Sequence, residues 1–258
     1  MKNKEKSIVD WQAYAEKYDM LLNYNPFYQE LRQEVLEKLD NWEILPGGYI
    51  ADLGAGTGNY SIEIAQSFPH AQVFHIDNNA GMNARAAKKA IALQNFHLME
   101  KDIDEVHFES GTLQGLVCIN AIYTFPHPQE TLRKIYDWLA PNANAVLVDP
   151  GRVMSTLSWK IAIGKHLIKT YGLAQTLTIM REGREVAQQN EYIRSMQKNG
   201  TFWTHSHEEF CQVFRQIGFR IEMSKTCFRG DCDLVVVRKP KAVQVTLKPY
   251  PRTENISL

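Results

Sequence analysis

Tyr49–Tyr60 reads YIADLGAGTGNY, and the fold of the chain turns on this stretch. Its first half, Tyr49-Ile50-Ala51-Asp52-Leu53, follows the turn Pro46-Gly47-Gly48 and predicts a short buried strand. Its second half places glycines at Gly54, Gly56 and Gly58, which let the backbone turn sharply and come against a ligand, while the next helix offers free N–H groups. The spacing departs from the dinucleotide fingerprint G-x-G-x-x-G, because Asn59 follows Gly58, and an acid, Asp52, stands two positions before the first glycine. A carboxylate there repels a pyrophosphate and suits a cationic ligand.

Working outward, strand and helix signals alternate. A helix carried by Ile62, Ile64, Ala65 and Phe68 stops at Pro69; a strand is predicted over residues 72–76, a helix over 80–93, and strands over 96–99 and 116–119. A helix over 128–139 and a strand over 145–148 follow. This is the βαβ rhythm of a parallel sheet covered on both faces, and right-handed crossovers make it doubly wound. Residues 8–40 read as two helices parted at Asn25-Pro26, with Ile8, Trp11, Tyr14, Ala15 and Tyr18 on one apolar face. Residues 151–203 break the rhythm with a long helical, aromatic-rich stretch after the fifth strand, where such folds bind ligands. It reads equally as a pocket wall or as a packing or dimer surface. A helix over 207–217, strands over 219–223 and 234–238 forming an antiparallel edge hairpin, and an extended tail from Lys239 close the chain.

Composition narrows the function. The 258 residues carry 29 Lys+Arg against 29 Asp+Glu, a formal charge of +0, with 44% apolar residues, which excludes a disordered chain and disfavours a global basic field for nucleic acid. The start MKNKEKSIVDWQ lacks the apolar run of a secretory signal, so a cytoplasmic protein is expected. No stretch approaches the ~20 apolar residues of a membrane span. Cys118, Cys211, Cys227 and Cys232 lack CxxC spacing and read as reduced, buried thiols, and no metal site is expected.

Two further acids stand in register with the first motif. Asp77 ends the strand VFHID, where a carboxylate accepts the hydroxyls of a ribose, and Lys101-Asp102-Ile103 pairs an acceptor with an apolar residue, as an adenine pocket requires. ADLGAGTGNY, VFHID, KDID and VCINAIYTFPHP, in this order over about residues 45–150, resemble the class I S-adenosylmethionine-dependent methyltransferases, small-molecule type. FRQIGFRIE and DLVVVRKP resemble that family's last helix and hairpin, and WQAYAEKYD its cofactor-covering segment.

The resemblance implies an α/β fold, a Rossmann-like core over 46–150 and 204–240, an N-terminal helical cap over 1–45, a helical lid or substrate insertion over 151–203 and a tail over 241–258. It implies S-adenosyl-L-methionine as cofactor: Asp52, Gly54, Ala55, Gly56 and Gly58 would hold the methionine portion, with Asn120 near it. Asp77 would bind the ribose, Asn78 and Met82 flank the adenine, Asp102 and Ile103 complete its pocket, and Tyr14 and Tyr18 close over the cofactor.

A sulfonium is already a good leaving group, so the protein must mainly align a nucleophile and exclude water. Where a base is needed, His127 and Tyr123 past the fourth strand are the candidates, with His205 and His207 as rivals; Asp149 reads equally as a loop anchor or a substrate contact. The expected partner is a small, hydrophobic or aromatic acceptor, with no nucleic acid, and a homodimer stays open. The segment IYTFPHP lacks the Asn-Pro-Pro-Tyr signature of amide and adenine N-methyltransferases, and Arg85, Lys88 and Lys89 read as a solvated helix face. Alternatives are a protein or RNA methyltransferase, a non-catalytic S-adenosylmethionine-binding protein and, weakest, an NAD-dependent dehydrogenase.

Overall fold

The computed structural model describes residues 9–241. Ile8 and the tail beyond Lys241 lie outside the described residues. Seven strands, β1 (Tyr49–Leu53), β2 (Gln72–Asp77), β3 (Phe96–Glu100), β4 (Leu113–Ile119), β5 (Leu139–Asp149), β6 (Arg220–Cys227) and β7 (Cys232–Arg238), form one sheet in the order β3-β2-β1-β4-β5-β7-β6. The first five are parallel, and β7 runs antiparallel to both β5 and β6. The doubly wound sheet with its antiparallel hairpin at the edge is therefore present as the sequence pattern predicts.

β1 lies inside the sheet, between β2 and β4, and is apolar on both faces. Ala51 and Leu53 join Leu116, Leu147 and Val235 in a core under α6 (Pro128–Trp138) and α9 (His207–Ile217), where Phe210 and Phe214 are fully buried. Ile50, on the opposite face, joins Val73, Val117, Val146 and Leu234 beneath α3 (Pro26–Glu37) and α4 (Ser61–Ser67), which contribute Leu31, Val35 and Ile64. Each fully buried aromatic or aliphatic side chain contributes about 1.5–3 kcal/mol. Helix ends follow local chemistry. Asn25 caps α3 ahead of Pro26, and Ser206 and Glu209 form a capping box on α9, which stops at Gly218 with φ of 111°.

Several boundaries differ from the sequence pattern. β4 and β5 begin earlier than expected, because Leu113 and Gly115 of β4 pair with Leu139 and Asn144 of β5, and polar residues or glycine at these strand starts give no apolar alternation. α5 (Ala80–Lys89) ends four residues before Leu93, where the chain turns. The first N-terminal helix is split into α1 (Trp11–Tyr18) and α2 (Met20–Tyr24) at Asp19, whose carboxylate turns toward the glycine loop. The insertion folds as α7 (Thr156–Glu182), broken at Gly172 with φ of 76° and ψ of 169°, and α8 (Arg184–Lys198).

Candidate active site

The glycine loop leaves the C-terminal end of β1 between α4 and α5. Gly54, with φ of 63°, lies so close to the loop after β4 that an added Cβ would stand 2.3 Å from the Cβ of Ala121. At Gly56 only the Met82 sulfur, 3.9 Å from the same point, would be met, so this side of the loop is open to a ligand. Asp77, at the end of β2, accepts hydrogen bonds from the N–H groups of Gly56 (2.9 Å) and Asn79 (2.8 Å), tying its carboxylate to the loop. Beside it, the Asn78 side-chain amide donates to Asp102 at 3.1 Å, with Met82 and Ile103 buried nearby in sequence. The residues read from the three motifs are thus assembled along one sheet edge.

Electrostatics mark the floor of this groove. Asp52 is buried, and one of its carboxylate oxygens, Oδ2, has no hydrogen-bond partner. Burial pushes its pKa up to about 8, hydrogen bonds from Ser61 oppose the rise, and the charge of Asp77 adds to it. The hydroxyl of Tyr60, also buried, is likewise without a partner. Next to them His75 contacts Ser61 Oγ through Nδ1 (2.8 Å) and Asn83 Oδ1 through Nε2 (3.1 Å), linking α4 to α5. Burial lowers its pKa to about 4, so the ring is neutral at neutral pH.

The N-terminal helices close the groove from above. Thr57 of the glycine loop donates to Asp19 at 2.6 Å, and the Lys89 ammonium reaches Asp19 (3.2 Å) and Asn59 (2.9 Å). Arg85 donates to the carbonyl of Glu16, and the Gly81 N–H donates to Gln12. Arg85 and Lys89 therefore hold the cap to the core, which corrects their reading as a merely solvated face. On its other side α1 meets the insertion: the Tyr14 hydroxyl donates to Asn190 at 3.1 Å, and the Asp10 N–H donates to Gln189 at 2.8 Å.

Between the cap and the insertion lies a cavity of about 370 Å³. Tyr14, Tyr18 and Tyr28 line it from the cap side, Asn120 and Tyr123 from the loop after β4, and Trp159 and Ile193 from the insertion. Asn120 adopts a φ of 54° there, and its side-chain carbonyl accepts from the Cys232 thiol at 3.5 Å. An aromatic corner closes one side. Trp159 packs against Phe228 with the rings tilted by 37° (centroids 4.5 Å) and meets Phe27 edge-on (5.4 Å), Arg229 lies over Trp159 and Phe27, and the indole N–H donates to Asp231 at 2.5 Å.

The candidate bases separate. Tyr123 faces the cavity, and burial holds its phenol well above the usual range, so it enters as a neutral hydrogen-bonding group. His127 is exposed at the start of α6 and is not among the cavity-lining residues. His205 is enclosed, with Nε2 3.2 Å from Asp149 and Nδ1 3.5 Å from Asp233. His207 contacts Asp233 at 2.9 Å, and Arg152 completes this buried network at 2.5 Å. Asp149 accepts from the Tyr123 N–H, so it anchors the loop that carries Tyr123. Tyr60, Arg152 and Trp159 were not named individually as candidate site residues: Tyr60 ends the glycine motif, and Arg152 and Trp159 lie in the 151–203 stretch read only as a whole as a pocket wall or packing surface.

Residues 50–142 match the family model of a methyltransferase domain. That match spans the glycine loop, Asp77 and Asp102. Among curated relatives, the chain is similar to the 2-methyl-6-phytyl-1,4-hydroquinone methyltransferase 1 of Oryza sativa, 25% identical over 133 residues, covering 52% of this chain and 39% of that one. It is also similar to the trans-aconitate 2-methyltransferase of Deinococcus radiodurans, 33% identical over 96 residues, covering 37% and 35%. The chain thus spans less than half the length of either relative. Its fold matches the magnesium protoporphyrin IX methyltransferase of Synechocystis, solved with bound S-adenosylhomocysteine, with a TM-score of 0.57 at 16% identity over 85% of this chain and 87% of that one.

The groove fits the family's cofactor. A ligand carrying an ammonium, a carboxylate and a sulfonium would supply partners for the unpaired Asp52 oxygen and the Tyr60 hydroxyl, and Gly56 leaves its backbone open toward it.

Proposed function

We propose that this protein transfers a methyl group from S-adenosylmethionine to a small acceptor with an apolar body and an acidic polar end. The cavity carries the reading: its wall is chiefly aromatic and aliphatic, and its charged lining residues are Arg152, Lys160 and Arg184 against the single carboxylate Asp231. The hydroquinone and aconitate methyltransferases it resembles support a small acidic acceptor.

When bound, S-adenosylmethionine supplies an electrophilic methyl on a neutral leaving group. Asp52, Gly54, Ala55, Gly56, Gly58 and Asn120 hold its methionine portion, Asp77 its ribose, and Asn78, Met82, Asp102 and Ile103 its adenine. Tyr14 and Tyr18, pinned between core and insertion, keep water from the reacting centre. The cationic side chains favour an acceptor that reaches the site ionised, so that no histidine is needed among the described cavity-lining residues. Tyr123 orients the acceptor through its neutral hydroxyl.

The test is calorimetric titration with S-adenosylmethionine, followed by a methyl-transfer screen of apolar phenols and carboxylic acids against neutral amines and against protein and RNA. Micromolar cofactor binding with turnover confined to the acids supports the reading. Turnover of amines or of a macromolecule alone, or cofactor binding with no transfer to any acceptor, overturns it.

A further inference from the structure

α7 consists of two helical segments that meet at the Gly172 break, and each leaves one side uncovered by the rest of the protein. Leu157, Ile161 and Ile168 before the Gly172 break, and Leu173, Leu177 and Met180 after it, are all exposed, from 46% at Met180 to 69% at Leu157. The spacings i, i+4, i+11 and i, i+4, i+7 set each trio on a single helix face. Contiguous apolar surface of this kind marks a contact surface rather than ordinary scatter.

Charge identifies its partner. Within α7, Lys160, Lys165, Lys169 and Arg181 stand against the single acid Glu182, in a chain whose net charge is +0. Lys160 is paired with Glu191, but Lys165, Lys169, Arg181 and the adjoining Arg184 are exposed and have no ion-pair partner among the described residues. Exposed aliphatic side chains fringed by unpaired cations are the chemistry of an interfacial helix on an anionic lipid surface. A second copy docking through the same face would bring these cations against their own equivalents, which disfavours a symmetric dimer there. The surface also adjoins the cavity, since Met180 belongs to both and Ile163 and Leu167 line the cavity from the inner side of the same helix.

We propose that the outer face of α7 docks this protein peripherally on anionic phospholipid bilayers, with Leu157, Ile161, Ile168, Leu173 and Leu177 entering the interface and Lys165, Lys169 and Arg181 meeting lipid phosphates. No described helix is long and apolar enough to cross a membrane, so the contact lies on the surface. The docking face stands independently of which acceptor the cavity takes.

Vesicle flotation of the full chain tests this, using phosphatidylcholine alone and phosphatidylcholine with phosphatidylglycerol. The protein is expected to float with the anionic vesicles and to be released as salt shortens the Debye length to ~3 Å near 1 M. Lys165→Glu with Lys169→Glu should weaken partitioning by about 30-fold or more, and Leu173→Glu with Leu177→Glu should abolish it, while melting temperature and S-adenosylmethionine affinity stay unchanged. Failure of the wild-type chain to float, equal flotation of the charge-reversed variant, or a solution dimer that the leucine variant dissociates would overturn the proposal, the last assigning the face to a second copy.

Discussion

The cofactor groove and the acceptor cavity are neighbours built in opposite ways. The groove is made by short chain segments at the ends of adjacent parallel strands, with backbone turns that only glycine tolerates at Gly54 and with one buried carboxylate held unpaired. The cavity is made by residues far apart in sequence, such as Tyr28, Trp159 and Phe228, joined chiefly by packing. The groove's chemistry is set by geometry and charge, whereas the cavity's depends on how firmly the cap and insertion are clamped to each other. A substitution in one region should therefore leave the other largely intact.

The largest expected effect tests the clamp. Trp159→Ala removes the side chain that joins α3, α7 and the hairpin turn, and a truncation of this size costs about 3–5 kcal/mol. Hydrogen-exchange protection should fall in α7 and α8 and methyl transfer should drop, with core strands still protected. Equal loss of protection across β1 and β4 would show that cavity and core are one cooperative unit.

Asp52→Asn probes the groove instead. Loss of a charge-assisted contact is worth about 1.5–3 kcal/mol, so affinity for S-adenosylmethionine should fall on the order of 10- to 150-fold while acceptor-side protection persists. The raised pKa of Asp52 adds a sign. A cationic ligand favours the ionised carboxylate, so wild-type affinity should climb as pH rises toward about 8 and level off above it, with protons released on binding below that point. In the ligand-free protein the folded-state pKa lies above the unfolded one. This group's favourable contribution is therefore fully present below the usual carboxylate range and is lost as pH rises to about 8. Thermal unfolding should show a decline over that window that Asp52→Asn lacks. A flat affinity profile, or an identical decline in the variant, would remove Asp52 from the cofactor's cationic end.

The smallest effect sharpens the boundary between the two regions. Tyr14 sits on the cap yet donates to Asn190 of the insertion, so Tyr14→Phe removes one hydrogen bond worth about 1 kcal/mol. It should lower turnover more than it lowers cofactor affinity. The reverse order would place Tyr14 with the groove.

Legibility in the sequence follows the same division. The glycine loop, Asp77 and the Asp102-Ile103 pair were readable because each lies at a strand end, where a run of alternating elements fixes its place. Tyr123 was found for the same reason, since it follows β4. His127, only a few residues further on, is exposed at the start of α6 and outside the cavity lining, and the pattern that predicts this helix does not say which side of its N-terminus faces the cavity. The roles of Arg85 and Lys89 were misread because a basic helix face looks the same whether it meets water or an N-terminal cap. The individual roles of Trp159 and Arg152 were not legible, although their stretch was read as a possible pocket wall, since their partners Phe228, Asp231 and Asp233 lie at the far end of the chain.

The sequence alone determined the sheet, the glycine turn and the acids at the strand ends, because strand periodicity and positive-φ glycines are local properties written in consecutive residues. Only the tertiary structure decided that Asp52 keeps an unpaired oxygen, that Asp19 binds the cap to the loop, and that one face of α7 encloses the cavity while the other is left bare. Those outcomes depend on which surfaces remain unfilled after every element has packed, and that remainder is a property of the whole chain.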